Sequence, residues 1–396
     1  MCRWLQGREA SLTGVERSIM DVPITRDSSV VSTRYWHELE DGRVQCDLCP
    51  RFCKLREGQR GLCFVRGCLD GEVVLTTYGR SSGFCVDPIE KKPLNHFFPG
   101  TPVLSFGTAG CNLACRFCQN WDISKSRQFD TLADQAAPET IARAARELGC
   151  RSVAFTYNDP VIFHEYAIDV AQACHELDIQ AVAVTAGEVC AEPREEFYRH
   201  MDAANVDLKA FTESFYREIC GSHLQPVLET LVYLQHETDV WFEITTLLIP
   251  GENDSPEEID AMSRWVVDKL GRDVPMHFTA FHPDWKMMDR APTPHQTLSG
   301  ARRIAMGNGV RYVYTGNVHD HEGGSTYCHG CGERLIGRDW YVLNDWRLTE
   351  DGACRECGTP CPGRFSSTPG DWGARRLPVR LSDYQRRAQG PRGLGA

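Results

Sequence analysis

The residues best equipped for chemistry are cysteines. There are nineteen in 396 residues, and most fall into tight groups. The central group, GTAGCNLACRFCQNWDIS, sets Cys111, Cys115 and Cys118 at C-x3-C-x2-C. A [4Fe–4S] cluster is normally held by four thiolates, so three closely spaced ones leave one iron open, and an open iron can chelate the amino and carboxylate groups of a small molecule. An earlier group, CDLCPRFCKLREGQRGLC, supplies Cys46, Cys49, Cys53 and Cys63. These four fit either a closed zinc site that staples a small module or a second iron–sulfur cluster, and spacing does not separate the two. A third group pairs CHGC (Cys328, Cys331) with CREC (Cys354, Cys357) after 22 intervening residues. Two such knuckles predict a zinc ribbon, a closed and structural site, with Cys361 as an accompanying or substitute ligand. The isolated Cys150, Cys174, Cys190 and Cys220 read as buried or free thiols, and Cys68 and Cys85 as extra thiols.

Disulfide frameworks in exported domains rarely cluster in this way. The first residues, MCRWLQGREASLTG, lack the apolar stretch of a secretory signal, and no run reaches the roughly 18–20 apolar residues of a membrane span. The expectation is a cytoplasmic protein whose cysteines bind metal. A formal net charge of -11 argues against broad electrostatic binding to nucleic acid or anionic membrane, and so against an RNA-modifying role.

The elements that must position these groups follow from the hydrophobic pattern. From residue 101 onward, nearly all-apolar runs alternate with helical periods: TPVLSFGT, RSVAFTY, QAVAVTAG, NVDLKAF, VWFEITTLLIP, PMHFTAF and VRYVYTG. Continuous apolar strands suit a parallel sheet covered on both faces. The intervening helices are expected at Pro138–Leu148, Pro160–Leu177, up to His236, Ser255–Leu270 and near 294–307. About seven βα units predict an α/β fold, a full or partial (β/α) barrel, with chemistry on the loops after the strand C-termini. The expected organisation is a loosely ordered segment (1–38), a cysteine-rich metal module (39–80) with a hairpin turning at Asp70-Gly71, the barrel (81–320), a zinc-ribbon-like module (321–366) and a flexible basic tail (367–396).

C-x3-C-x2-C with an aromatic before its last cysteine, opening such a barrel, resembles the radical S-adenosylmethionine (SAM) superfamily. CNLACRFCQNWDIS, with the later YNDP, DLKAF and YTGNV, more closely resembles the radical SAM component of the AmmeMemoRadiSam system, related to the pyruvate formate-lyase activating enzymes. The likeness spans about residues 40–320. It implies reductive cleavage of SAM at the cluster and a 5'-deoxyadenosyl radical that abstracts hydrogen from a protein, peptide or organic substrate. It also implies a flavodoxin- or ferredoxin-like electron donor, and association with Memo-like and AMMECR-domain proteins.

The resemblance assigns further residues. Phe117 is placed to pack beside the adenine. The superfamily's GGE-like element is replaced here by Tyr157-Asn158-Asp159-Pro160, a departure that leaves Asp159 either as a partner for the SAM amine or as a plain helix N-cap. Asp207 and Lys209 resemble the DLK element that holds the SAM carboxylate, although at strand alternation they could instead pair with one another. Thr185 and Gly187 occupy a TNG-like position, with Ala186 in place of Asn. Glu243, Thr245, His277, His282, Tyr314 and Asn317 are candidates to line the substrate cavity. Two alternatives stand beside this reading: an activase for a glycyl-radical enzyme, and a cluster- and zinc-bearing adaptor that does not cleave SAM.

Overall fold

The computed structural model describes residues 24–125 and 134–385. Seven parallel strands form its centre: β1 (Pro102–Gly107), β2 (Ser152–Phe155), β3 (Gln180–Thr185), β4 (Ala203–Asp207), β5 (Trp241–Leu248), β6 (Met276–Ala280) and β7 (Val313–Gly316). They pair in sequence order. An antiparallel strand, Arg80–Pro88, extends the sheet beyond β1. The sheet has an edge at each end, so the barrel is a partial one.

Helices α1 (Pro138–Glu147), α2 (His164–His175), α3 (Ala191–Tyr198), α4 (Leu224–Glu237), α5 (Pro256–Lys269) and α6 (His295–Gly307) connect the strands. Local chemistry sets their ends. Ser255 caps α5 by accepting from the Glu258 amide, and α1 starts with Pro138 at a position where its missing N–H costs nothing. The helix expected from Pro160 begins instead as a 3₁₀ turn, Pro160–Phe163, before α2. Burial of the apolar strands is complete or nearly so: Leu104, Phe106, Val153, Phe155, Ala183, Val206 and Ile244 are all fully buried.

Two small sheets precede the barrel. Arg66–Leu69 and Glu72–Leu75 form the hairpin read from the sequence, with Asp70 and Gly71 both at positive φ (54° and 76°) as a two-residue primed turn requires. Val31–Ser32 adds to this hairpin, and Trp36–Glu38 pairs with Val44–Cys46. Residues 24–38 are therefore built into the cysteine-rich region, contrary to the expected loose lead-in; residues 1–23 lie outside the described residues. The tail reading also needs correction over 367–385. Leu377–Pro378 pairs with Val86 and Cys85, the Val379 amide donates to the Phe84 carbonyl, and Leu381 is fully buried. An edge strand far away in sequence supplies the partner, which tail composition cannot reveal. Residues 386–396 lie outside the described residues. After β7, Thr326–Tyr327, Arg334–Asp339 and Val342–Trp346 form an antiparallel sheet that carries the last cysteine group.

Among the described residues, no helix is long and apolar enough to cross a membrane.

Candidate active site

A cavity of about 430 Å³ opens at the C-terminal ends of the barrel strands. That volume lies within the range of small-molecule sites. Cys111, Cys115 and Cys118, from the loop after β1, share its wall with Phe117, Asp159, Thr185, Asp207 and Lys209. The fold thus brings together residues that the chain scatters over four strand ends.

The cysteine loop is held by hydrogen bonds to its backbone on several sides. Ala114 N–H donates to the Cys220 carbonyl (2.8 Å), Arg116 N–H to the Ile219 carbonyl (2.9 Å), and Lys125 Nζ to the Leu113 carbonyl (2.8 Å). Asn158 is the clamp that the sequence reading missed. Its Nδ2 donates to the Thr108 and Gly110 carbonyls at 2.8 and 2.7 Å, and its side chain is buried. Gly110 adopts φ +83°, and a Cβ there would collide with the Cys63 carbonyl. The first cysteine group therefore abuts the triad loop directly. Arg51 from that group also donates to the Asn112 carbonyl (3.0 Å).

Charge in the site is balanced by close pairs. Lys209 Nζ lies 2.7 Å from Asp207 Oδ2 and 5.9 Å from the Phe117 ring centre. Burial disfavours the Lys209 charge, but Asp207, Cys115 and Cys220 outweigh it and hold the ammonium well above its ordinary range. A hydrogen bond from Cys220 lowers Cys115 to about 6 against the opposing effect of burial, with Lys209 and Lys125 adding to the stabilisation of its thiolate. Cys220, which looked isolated in sequence, thus stands beside the triad. Cys111, the first thiol of the triad, is pushed up to about 11 by burial.

Asp159 is fully engaged within the protein. Its carboxylate accepts from Val161 N (3.0 Å), Ala186 N (2.9 Å) and Thr185 Oγ1 (3.1 Å), so it caps the Pro160 turn and ties β2 to β3. Burial raises its pKa. Gly187 is not brought to the cavity: its N–H donates to Thr185 Oγ1 and its carbonyl accepts from Thr230 Oγ1, behind the wall.

Thr245, His277 and Asn317 line the cavity, while Glu243, Tyr314 and His282 do not. Glu243 lies fully buried behind the wall and accepts from His277 Nε2 (2.6 Å), Asn95 N (3.0 Å), His96 N (2.7 Å) and Trp241 Nε1 (3.1 Å). Burial works against its charge, but His277 and His96 reverse the effect and lower its pKa. Tyr314 bridges His96 (2.5 Å) and Thr326 (2.8 Å). Burial also pushes His96 down to about 4. His282 sits on the surface near Asp284. Arg338, Trp340 and Tyr341, from the sheet that follows the barrel, also line the cavity, a placement that no motif in the chain signals.

The two flanking cysteine groups differ in kind. Cys328, Cys331, Cys354 and Cys357 place all four sulfurs within 4.8 Å of one another, with Cys328–Cys357 at 3.6 Å and Cys331–Cys354 at 3.8 Å. A tetrahedral ion with 2.3 Å metal–sulfur bonds needs sulfurs about 3.8 Å apart, so this donor set fits a single ion. Cys361 is directed to His96 Nδ1 (3.8 Å). In the first group, Cys46 is pushed up to about 12 and Cys49 and Cys53 are also raised, by burial and then by the neighbouring thiols of the same group. Thiols crowded and buried in this way gain most from a cation among them.

The model of the Radical SAM superfamily matches residues 106–264. An uncharacterized protein of Methanocaldococcus jannaschii is 38% identical over 327 residues, which cover 82% of this chain and 96% of that protein. The 4-hydroxyphenylacetate decarboxylase activating enzyme of Clostridioides difficile is 23% identical over 224 residues, covering 52% of this chain and 70% of that enzyme. Among solved structures, a domain of pyruvate-formate lyase-activating enzyme from Bacteroides vulgatus is 18% identical with a TM-score of 0.37, covering 42% of this chain and 99% of that domain.

Proposed function

Because the chain belongs to the radical SAM superfamily, we propose that it is an enzyme whose Cys111, Cys115 and Cys118 hold a [4Fe–4S] cluster for the reductive cleavage of SAM. The observation that carries this reading is the convergence of the three thiols with Lys209, Asp207 and Phe117 on one cavity. Three sulfur donors on a pinned loop fit a cluster with one iron left for a small-molecule ligand. A cluster held by Cys111, Cys115 and Cys118 would supply the electron for reductive cleavage of the C5'–S bond of SAM, with methionine leaving, and so the means to abstract a hydrogen atom from a substrate.

The chain's own residues would act by position and charge. Lys209, freed from its pair with Asp207, offers an ammonium to the SAM carboxylate. Phe117 presents a ring edge or face to the adenine. Asp159 and Thr185 brace the strand ends against which the cofactor lies, and they reach it only if their mutual bonds rearrange. Thr245, His277 and Asn317 face the part of the cavity left for substrate, with Glu243 fixing the His277 ring. Cofactor and substrate seated in this cavity would displace water from the reacting atoms.

The substrate in this reading is a protein, a peptide or a small organic molecule. The activating enzyme of Clostridioides difficile supports a glycyl-radical activase as the second reading. A ferredoxin- or flavodoxin-like donor and Memo-like and AMMECR-domain partners belong to the same proposal, as does a reducing, cytoplasmic setting for so many thiols. The last cysteine tetrad is assigned zinc, and the first group a metal staple or second cluster.

The test is anaerobic reconstitution with iron and sulfide, then dithionite and SAM, with chromatographic measurement of 5'-deoxyadenosine. Product is expected from the wild type and not from Cys115→Ala. Equal product from both, or none from a fully loaded and reduced wild type supplied with candidate partners, would overturn the reading.

A further inference from the structure

We propose that His319, His321 and Asp339 form a binding site for a divalent first-row transition cation at the rim of the cavity. The two histidines follow β7, and Asp339 ends the strand Arg334–Asp339. One ligand atom from each lies within 4.8 Å of the others. His319 Nε2 is 2.7 Å and His321 Nε2 3.9 Å from the same oxygen, Asp339 Oδ1. An ion with metal–nitrogen and metal–oxygen bonds of about 2.0–2.2 Å needs donors roughly 3 Å apart, a spacing the two observed distances bracket.

The surroundings favour a ligating role. His321 Nδ1 sits 3.3 Å from the Arg338 carbonyl. A proton on Nδ1 donates to that oxygen and leaves the Nε2 lone pair directed at Asp339, which is how a carbonyl commonly orients a metal-binding imidazole. Asp320, between the two histidines, is turned elsewhere: it accepts from Thr315 Oγ1 and Gly323 N, both at 2.9 Å, and pairs with His295 at 3.1 Å. His319 and His321 are therefore left on one side with Asp339. Their side chains are about half exposed, so an ion can enter from solvent. Two imidazoles and one carboxylate suit zinc, iron(II), cobalt or nickel better than magnesium or calcium.

The position gives such an ion a role. Val318 and Asp320, on either side of His319, line the cavity, as does Trp340 next to Asp339. Trp340 stacks on the His319 ring (centroids 6.1 Å, planes 18° apart). The ion would join the loop after β7 to the turn that carries Trp340 and Tyr341, and so fix the cavity rim. Three protein ligands leave coordination positions open, which would take a carboxylate or another oxygen donor of a molecule entering the cavity. The site itself stands independently of the cluster chemistry.

Equilibrium dialysis of the reconstituted holoprotein against micromolar Co²⁺, followed by metal analysis, tests the proposal. Wild type is expected to take up one Co²⁺ per chain more than a His319→Ala/His321→Ala double variant, with at least tenfold weaker uptake in Asp339→Asn. Co²⁺ should raise the melting temperature of wild type and not of the double variant. Single His319→Gln and His321→Gln variants serve if the double variant does not fold. Equal uptake by wild type and these variants, whether at zero or at one ion, would overturn the assignment.

Discussion

Removal of the Asn158 side chain is a sharp probe of how the cysteine loop is held. In Asn158→Ala, two hydrogen bonds to the Thr108 and Gly110 carbonyls disappear, at 2.8 and 2.7 Å in the intact protein. Each is worth about 1 kcal/mol net, and carbonyls left without a partner in a buried place add to the loss, so the loop should open about 2–4 kcal/mol more easily. At 1.36 kcal/mol per factor of ten, that is roughly 30- to 1000-fold more open loop. The assay is the rate of iron loss from the reconstituted protein to a chelator under anaerobic conditions, where release follows loop opening. Asn158→Asp keeps the shape but replaces the donor with a carboxylate facing two carbonyl oxygens, so it should release iron at least as fast as Asn158→Ala. Iron release from Asn158→Ala within twofold of wild type would refute the clamp.

Further expectations follow from the same geometry. Lys209→Gln should weaken SAM binding by about tenfold or more, the value of one charge-assisted hydrogen bond, as measured by equilibrium dialysis; unchanged binding would remove Lys209 from the SAM site. His96 has a folded pKa of about 4 against an ordinary 6.5, so its neutral form favours the folded state and that stability is lost as pH falls below 6.5. The loss should reach about 2 kcal/mol between pH 7.5 and 5 in urea titrations, and His96→Asn should flatten that part of the profile; an equally steep profile would contradict the assignment. Stripping the tetrad metal, or Cys354→Ser, should loosen the sheet that carries Arg338, Trp340 and Tyr341. Substrate turnover should then fall more than 5'-deoxyadenosine formation without substrate, a split that parallel losses would rule out.

Much of the frame was legible in the chain because it depends on local pattern. Val103, Val153, Val182 and Val206 sit in apolar runs that a parallel sheet buries on both faces, and the Asp70-Gly71 turn demands the positive φ it has. The triad could be placed at a strand end for the same reason. What stayed hidden depends on contacts between distant segments. Cys220 meets Cys115 only because the Tyr216–Cys220 turn packs under the cysteine loop, and no spacing rule links them. Asn158 was read as part of a cofactor element, whereas its amide holds the loop of a neighbouring strand. The composition of 367–396 reads as a flexible basic tail, yet Leu377–Pro378 within it finds the free edge of Arg80–Pro88. Arg338 and Trp340 sit in a segment whose cysteines pointed to structure, and folding brings that segment against the barrel mouth.

The central claim is that three thiolates leave an iron to which SAM binds. Electron paramagnetic resonance of the reduced, reconstituted protein tests it most directly. Addition of SAM should shift the cluster spectrum in the wild type, and Cys115→Ala should show no such shift. A wild-type spectrum identical with and without saturating SAM, at full cluster occupancy, would contradict the account.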